Sequence, residues 1–361
     1  MNGMNRYLIN TKLAVVLALP AFFACSNDEG GVEAGSHVPL SVATYIERLV
    51  TDNSSEQNCK ANTRFTGDGS GTQGTEILPG QTIWVWANYA ENKNGHVDGD
   101  PYLAAWKLTS GAAGQLSGVV TTTLSGSLRY YPTQNEMIDL YGVQGNFSES
   151  ITEQTTTFPT SLTHTVNTTQ TTSTSYATSD LLWGIKEEQQ YSEDPSTHEI
   201  IAETIVIPFK HCLSKVEITL TLADGETVYT TDDLKAAKVE LMHVKPSVTL
   251  TMSDGSLSEA SGDETRIIMK TANSAAGYAS DWLEAIVPPQ TFASASAFIC
   301  VTMNVNGAER PLYYVPSSAL TLAANHRYRF SFVVSSQAIT LGSVTYDDWQ
   351  TATPISPIPV S

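Results

Sequence analysis

The chain predicts an all-β fold arranged as two tandem β-sandwich domains, and three observations predict it. Short runs of β-branched and aromatic residues recur along nearly the whole length, separated by Gly, Asn, Asp and Pro. Thr, Ser and Gly are abundant and charged residues make up only 16%, the habit of strands that present uncharged polar groups outward. No segment sustains an apolar period of 3.6 residues, so large helices are not expected. At 361 residues the chain is longer than the roughly 250–300 that one core usually reaches, which favours two domains.

Residues 1–24 read as an export signal. Arg6 and Lys12 precede the apolar run Leu13–Ala24, and a small residue stands before the break. That run is shorter than the about 20 apolar residues a membrane-crossing helix needs. Cys25 follows it directly, and Ser26-Asn-Asp-Glu-Gly-Gly31 follows Cys25. Phe22-Phe-Ala-Cys25 resembles the lipobox of Bacteroidetes lipoproteins, with Phe22 where Leu is preferred. The acidic residues after Cys25 resemble a surface-export tag. Cys25 is therefore the expected lipid acceptor, and 25–36 a tether. The 37 acidic residues outnumber the 19 basic ones, so nucleic acid is excluded as a partner and membrane attachment falls to the lipid. Cys59, Cys212 and Cys300 make an odd number and no disulfide scaffold; Cys212 and Cys300 sit in apolar runs and read as small buried hydrophobes.

The first domain spans 37–190. Val38-Pro-Leu-Ser-Val-Ala-Thr-Tyr-Ile46 alternates with its even positions apolar, which favours a strand over a short helix. Turn-rich stretches then surround Lys60-Ala-Asn-Thr-Arg64-Phe65, an exposed and cleavable place. Strand patterns follow at Ile83–Ala87, Tyr102–Leu108, Val119–Leu124, Ser127–Pro132 and Met137–Tyr141. Residues 149–179 form a Thr/Ser-rich stretch that reads as a long loop or extended hairpin with little core of its own. Glu187–Glu199 is the linker. The second domain spans 200–361, with strands at Ile205–Phe209, Val216–Leu222, Val239–Val244, Ala297–Val305, Tyr328–Val334 and Ile339–Leu341. Asn306-Gly307, between two such runs, marks a β-hairpin.

Catalytic spacing is absent. The seven histidines are scattered, with no His-x-x-x-His pair. Gly67-Asp-Gly-Ser-Gly71 lacks the residues and the strand-to-helix context of a nucleophile elbow. Asp98-Gly-Asp100 and Asp347-Asp348 carry too few oxygen ligands at fixed offsets for a calcium loop and read as turns. The pairs Trp84/Trp86 and Tyr130/Tyr131 read as sheet packing rather than sugar platforms. No metal, cofactor or enzymatic reaction is expected. Arg64 is the candidate processing site, with Arg48 second to it.

Several segments together resemble the fimbrillin family of Bacteroidales, the FimA/Mfa-like surface lipoproteins. They are Gly80-Gln-Thr-Ile-Trp-Val-Trp86, Tyr130-Tyr-Pro132 with Ile138-Asp-Leu-Tyr141, Asp180-Leu-Leu-Trp-Gly184, and Pro208-Phe-Lys-His-Cys-Leu-Ser-Lys-Val-Glu-Ile218. Ile286-Val-Pro-Pro-Gln290, Asn325-His-Arg-Tyr-Arg-Phe330 and Val344-Thr-Tyr-Asp-Asp-Trp349 complete the set. Asn325 stands where Gly is usual, and an insertion containing Cys59 offsets the basic site. The resemblance implies two β-sandwich domains of transthyretin-like Greek-key topology and a lipidated precursor at the outer membrane. It also implies an Arg-specific surface protease that removes the first strand, and other fimbrial subunits as partners by β-strand donation. Cys25, Arg64 and Val38–Ile46 are the matching lipid acceptor, cleavage site and displaced strand. Pro354, Pro357 and Pro359 lack the N–H a donor strand uses, which favours a tip or accessory subunit over a stalk subunit. The alternative from another class is a surface glycan-binding lipoprotein using exposed aromatics.

Overall fold

The computed structural model describes residues 38–46, 77–116, 119–132, 136–272 and 282–349. Cys25, Arg48, Cys59 and Arg64 lie outside them, as do the tether, Gly67–Gly71 and 351–361. Among the described residues the chain is almost wholly β, with two short helices.

The elements of the first part are β1 (Val42–Ile46), β2 (Thr82–Tyr89), β3 (Pro101–Leu116), β4 (Val119–Gly126), β5 (Ile138–Gln144) and β6 (Ser161–Thr165). Then come α1 (Ser173–Ser179), β7 (Leu182–Gln189), the small pair β8 (Ser192–Glu193) and β9 (Ile200–Ile201), and β10 (Ile205–His211). Seven strands close into a barrel in the order β1-β10-β7-β5-β2-β3-β4, where the sequence predicts a two-sheet sandwich. Alternation fills it: Ile83, Val85 and Ala87 of β2 point inward, as do Ile138 and Leu140 of β5, all fully buried. Trp86 leaves β2 on the opposite face and is buried in a second, larger core, with Trp84 packed beside it. The core reading of these tryptophans holds.

Two glycines let the barrel close. Gly142 of β5 and Gly184 of β7 are register partners. A Cβ on Gly142 would stand 2.5 Å from the Phe209 ring, and one on Gly184 would stand 2.1 Å from the Pro208 carbonyl oxygen. Neither distance is possible for a side-chain carbon, so glycine is required at both. The recognised segments ending at Gly184 and starting at Pro208 meet here.

The remaining elements are β11 (Ser214–Leu222), α2 (Thr231–Lys235), β12 (Lys238–Val244), β13 (Ser247–Thr251), β14 (Thr265–Ile268), β15 (Lys270–Ala272) and β16 (Trp282–Val287). After them come β17 (Gln290–Phe292), β18 (Ile299–Val305), β19 (Ala308–Tyr314), β20 (Leu320–Leu322), β21 (His326–Val334) and β22 (Ile339–Asp348). They build a five-stranded sheet, β15-β16-β11-β21-β22, and a four-stranded one, β14-β12-β18-β19. Phe298, Phe330, Phe332, Val216, Ile218 and Leu241 lie between them in the larger core. Asn306 and Gly307 take φ of 52° and 81°, so the two-residue hairpin joins β18 to β19 as its sequence predicts.

One expectation is corrected. The Thr/Ser-rich stretch 149–179 is not a coreless loop. β6 within it pairs with β13 over five residues, and Leu162, Val166, Tyr176 and Ala177 are buried. Threonine hides apolar faces well: its methyl packs while its hydroxyl bonds locally.

Candidate functional site: the seam closed by the first strand

Among the described residues, β1 pairs only with strands remote from it in the chain. It runs parallel to β10, with Val42 beside Ile205, Thr44 beside Ile207 and Ile46 beside Phe209. On its other flank only Ala43 and Thr44 pair with β4. The preceding residues continue the seam: Leu40 N–H donates to Arg129 O at 2.8 Å, and Tyr131 N–H donates to Val38 O at 2.9 Å. Pro39 sits between these bonds in an isolated bridge to Tyr130, so its missing N–H leaves no donor unpaired. Of the strand expected for Val38–Ile46, Val42–Ile46 is present as β1 and Pro39 adds an isolated bridge before it.

β10 depends on β1 more than on its other neighbour. β7 pairs with β10 only from Phe209 onward, because Pro208 has no N–H to continue that ladder. Among the described residues, Ile205–Pro208 therefore find their sheet partner in β1 alone. Ile205 N–H donates to Ser41 O at 2.8 Å, and Ser41 Oγ meets Thr204 Oγ1 at 3.1 Å.

Val38, Leu40, Val42 and Ile46 all enter the barrel core, against Ile83, Val85, Trp106, Leu108, Ile207 and Phe209. Fully burying one such side chain is worth about 1.5–3 kcal/mol, so these four contribute roughly 6–12 kcal/mol. That is comparable to the whole stability of a domain, about 5–15 kcal/mol. A barrel that lost residues 38–46 would need another apolar strand in the groove.

A second cluster lies where the recognised segments converge. His211, one of the histidines that sequence spacing left unassigned, has Nδ1 2.9 Å from Asp180 Oδ2, with both side chains fully buried. Its ring stacks on Trp349 at 4.1 Å and 2°. Cys212 is buried next to it, and burial pushes its thiol up to about 12, so it carries no thiolate nucleophile at neutral pH. An acid–histidine pair sealed from solvent reaches no substrate; it is a joint between β7's approach, β10 and the last strand. Asn325 bonds through its N–H to Leu213 O at 2.7 Å and accepts from Trp349 N–H at 3.2 Å. Its φ is 56°, the left-handed region that Gly enters freely and Asn tolerates. This explains how Asn replaces the usual Gly.

His243 lies at a bulge of β12 with φ 55° and pairs with Glu264 at 2.8 Å. Asp98 and Asp100 flank Gly99, whose φ is 88°, as turn residues do. Cys212 and Cys300 are buried and unpaired, as their apolar settings predict. Among the described residues, no group of three His, Cys, Asp or Glu side chains is gathered as a metal site.

Residues 63–349 match the family model described as Fimbrillin-like. The chain belongs to the fimbrillin-like family. Two solved structures illustrate the shared fold. A proposed cell adhesion protein from Bacteroides uniformis is 17% identical, with TM-score 0.51 over 86% of this chain and 98% of that one. Another from Bacteroides ovatus is 12% identical, with TM-score 0.52 over 87% of this chain and 99% of that one. No curated protein matches the chain. In this fimbrillin-like protein the family match begins at Thr63, past β1.

Proposed function

We propose that this fimbrillin-like chain is a structural and adhesive subunit of a cell-surface fimbria. It is exported as a precursor lipidated on Cys25 and anchored in the outer membrane. Cleavage after Arg64, with Arg48 as the secondary site, releases β1, and a strand of another subunit fills the groove. The observation that carries this reading is the seam: an uncharged, alternating strand, joined to its neighbours by backbone bonds and apolar contact with one hydroxyl pair beside them, seals the core. Any extended segment with apolar residues at alternate positions offers the same contacts, which is the physics of β-augmentation. The role is not enzymatic, in keeping with the family and with the sealed Asp180–His211 pair.

The proposal keeps two domains, 37–190 and 200–361. β10 then comes from the second and completes the barrel of the first, so cleavage before it would open the barrel again. A tip or accessory position rests on the prolines at 354, 357 and 359. Pro39 illustrates how a single proline is accommodated between flanking bonds; three in one short segment are a heavier obstacle.

N-terminal sequencing of the surface form tests the reading. A start at Phe65 in polymer and at Cys25 in precursor is expected. Arg64→Ala should leave an uncleaved, monomeric lipoprotein, or one cleaved at Arg48, and the double variant with Arg48→Ala should not polymerise. Normal fibres from the double variant would overturn strand release at these sites. Cys25→Ser should abolish fatty-acid labelling.

A further inference from the structure

A cavity of about 410 Å³ lies in the later part of the chain, and none of its lining residues belongs to the seam. Its size falls within the roughly 300–1,000 Å³ usual for ligand pockets. Its walls are the end of β12, the loop between β13 and β14, and β17 with the turn that follows it. β12 delivers His243 to the cavity through its bulge. Bulges re-aim side chains beside binding sites, and the φ of 55° at His243 is uncommon outside glycine. Glu264, at the end of the loop, accepts from His243 Nδ1–H at 2.8 Å, which leaves Nε2 for another partner. Ala295, next to the lining residue Ser296, also takes a left-handed φ of 65°. Backbone strain of this kind gathers at ligand sites.

Gln290 fixes the wall. Its Oε1 accepts from Lys245 N–H at 3.0 Å, and its Nε2 donates to Lys245 O at 3.2 Å and to Pro288 O at 3.1 Å. The amide is used up in locking β17 to the residue after β12, so Lys245 is held at the cavity.

The wall's chemistry selects the ligand. Lys245 and Glu259 both line the cavity, and neither side chain has an ion-pair partner among the described residues. An anionic ligand would meet Glu259 and Glu264, and a chain with 37 acidic against 19 basic residues repels it further. A cationic ligand would meet Lys245. A neutral ligand rich in hydroxyls suits both signs, because each hydroxyl can donate to a carboxylate and accept from an ammonium. Phe292, buried and packed edge-on against Phe298 at 4.9 Å, adds an apolar stretch of wall. A pyranose ring has this make-up, with hydroxyls around its rim and C–H groups on its face.

We propose that this cavity binds the end of a neutral saccharide. Glu259 accepts from its hydroxyls, Lys245 donates to them, His243 engages one through Nε2, and Phe292 lies against the C–H face of the ring. The site requires neither cleavage at Arg64 nor strand exchange, so it goes beyond the fimbrial reading and stands or falls separately from it.

An array of neutral, sialylated and sulfated oligosaccharides probed with the full chain tests this, followed by calorimetric titration of the neutral glycan bound best. Binding confined to neutral glycans is expected. Glu259→Ala and Lys245→Ala should each weaken that glycan by about 10–100-fold, the loss of a hydrogen bond to a charged group. Both residues are exposed, so the fold is retained, and an unchanged thermal midpoint verifies it. Glu309→Gln, on β19, should bind like the parent. Failure to bind any neutral glycan, or a preference for sialylated or sulfated ones, would overturn the site. So would parental affinity in Glu259→Ala and Lys245→Ala, or an equal loss in Glu309→Gln.

Discussion

β1 and β11 occupy equivalent positions, each between one parallel and one antiparallel neighbour, yet different chemistry holds them. β1 makes five register pairs with β10 and two with β4, and none of its side chains is charged. β11 makes nine with β21 and five with β16, and it buries two charges. Lys215 Nζ lies 3.2 Å from both Glu217 and Glu284. Arg329 Nε donates to Glu217 at 2.6 Å, Arg327 stands 3.9 Å from it, and Lys270 reaches Glu284 at 3.3 Å. A strand held by hydrogen bonds and methyl groups can be replaced by another of the same pattern. A strand held by buried ions fits only its own partners, because each charge left behind would be uncompensated. The contrast separates a strand that another of the same pattern could replace from one that fits only its own partners.

The largest expected effect breaks the fixed strand. Glu284→Ala removes a fully buried carboxylate from two lysines, and breaking such a pair typically costs about 3–5 kcal/mol. The urea midpoint should fall accordingly, and a loss under ~1 kcal/mol would mean that the network contributes little to holding β11 in place.

Acid should act on the fixed region next. His164 of β6 is buried, accepts at Nδ1 from Asn146 N–H at 2.9 Å and has Nε2 3.0 Å from Ser179 O. These partners fit the neutral ring with its proton on Nε2. Burial lowers its pKa from 6.5 to about 4, so the unfolded chain takes up a proton first as pH falls. The stability it contributes is complete above 6.5 and is lost between there and about 4, amounting to about 3 kcal/mol. Glu217 titrates lower. Burial raises its pKa, but Lys215, Arg327 and Arg329 outweigh burial and leave it below the ordinary carboxylate value. Its contribution is present above the unfolded carboxylate pKa and lost as pH falls through the folded one. Urea unfolding from about pH 7 down to about pH 3 checks both, and His164→Asn should flatten the upper part of the curve.

Gly184→Ala acts on the barrel wall beside the seam. The new Cβ meets a backbone oxygen that cannot rotate away, and a cost near the upper end of about 1–3 kcal/mol is expected. Thermal unfolding of the full chain measures it, and an unchanged midpoint would show that β7 and β10 can separate freely.

How much of this was legible in the sequence follows from the same contrast. Alternation in Val38–Ile46 and Val216–Leu222 gave strands, because one face is apolar in each, and the continuous apolar run Ile83–Ala87 gave another. Alternation does not reveal that Lys215 and Glu217 are buried, because both faces of β11 are covered. Closure of the barrel was not visible, because β1 and β10 are far apart in the chain and parallel pairing leaves no turn dipeptide between them. Gly184 and Pro208 were noticed as parts of separate segments, and only the fold puts one against the other. His211 and Asp180 had no spacing to announce them. The buried residues of 149–179 were hidden by threonine, and Cys25, Arg48 and Arg64 are read from sequence alone.

The smallest expected effect sharpens the exchangeable side. Thr44 lies at the centre of the seam, fully buried, and its hydroxyl has no hydrogen-bond partner. Thr44→Val keeps the shape and removes the desolvated oxygen, so stability should be unchanged or rise by up to about 1 kcal/mol. If it rises, the middle of the groove reads shape and not polarity, and an incoming strand needs only a β-branched or small residue there. The native threonine would then leave β1 slightly less well bound than the groove allows, which suits the release proposed for it. A clear loss of stability would reverse this, making the hydroxyl a specific contact that any replacement strand must also supply.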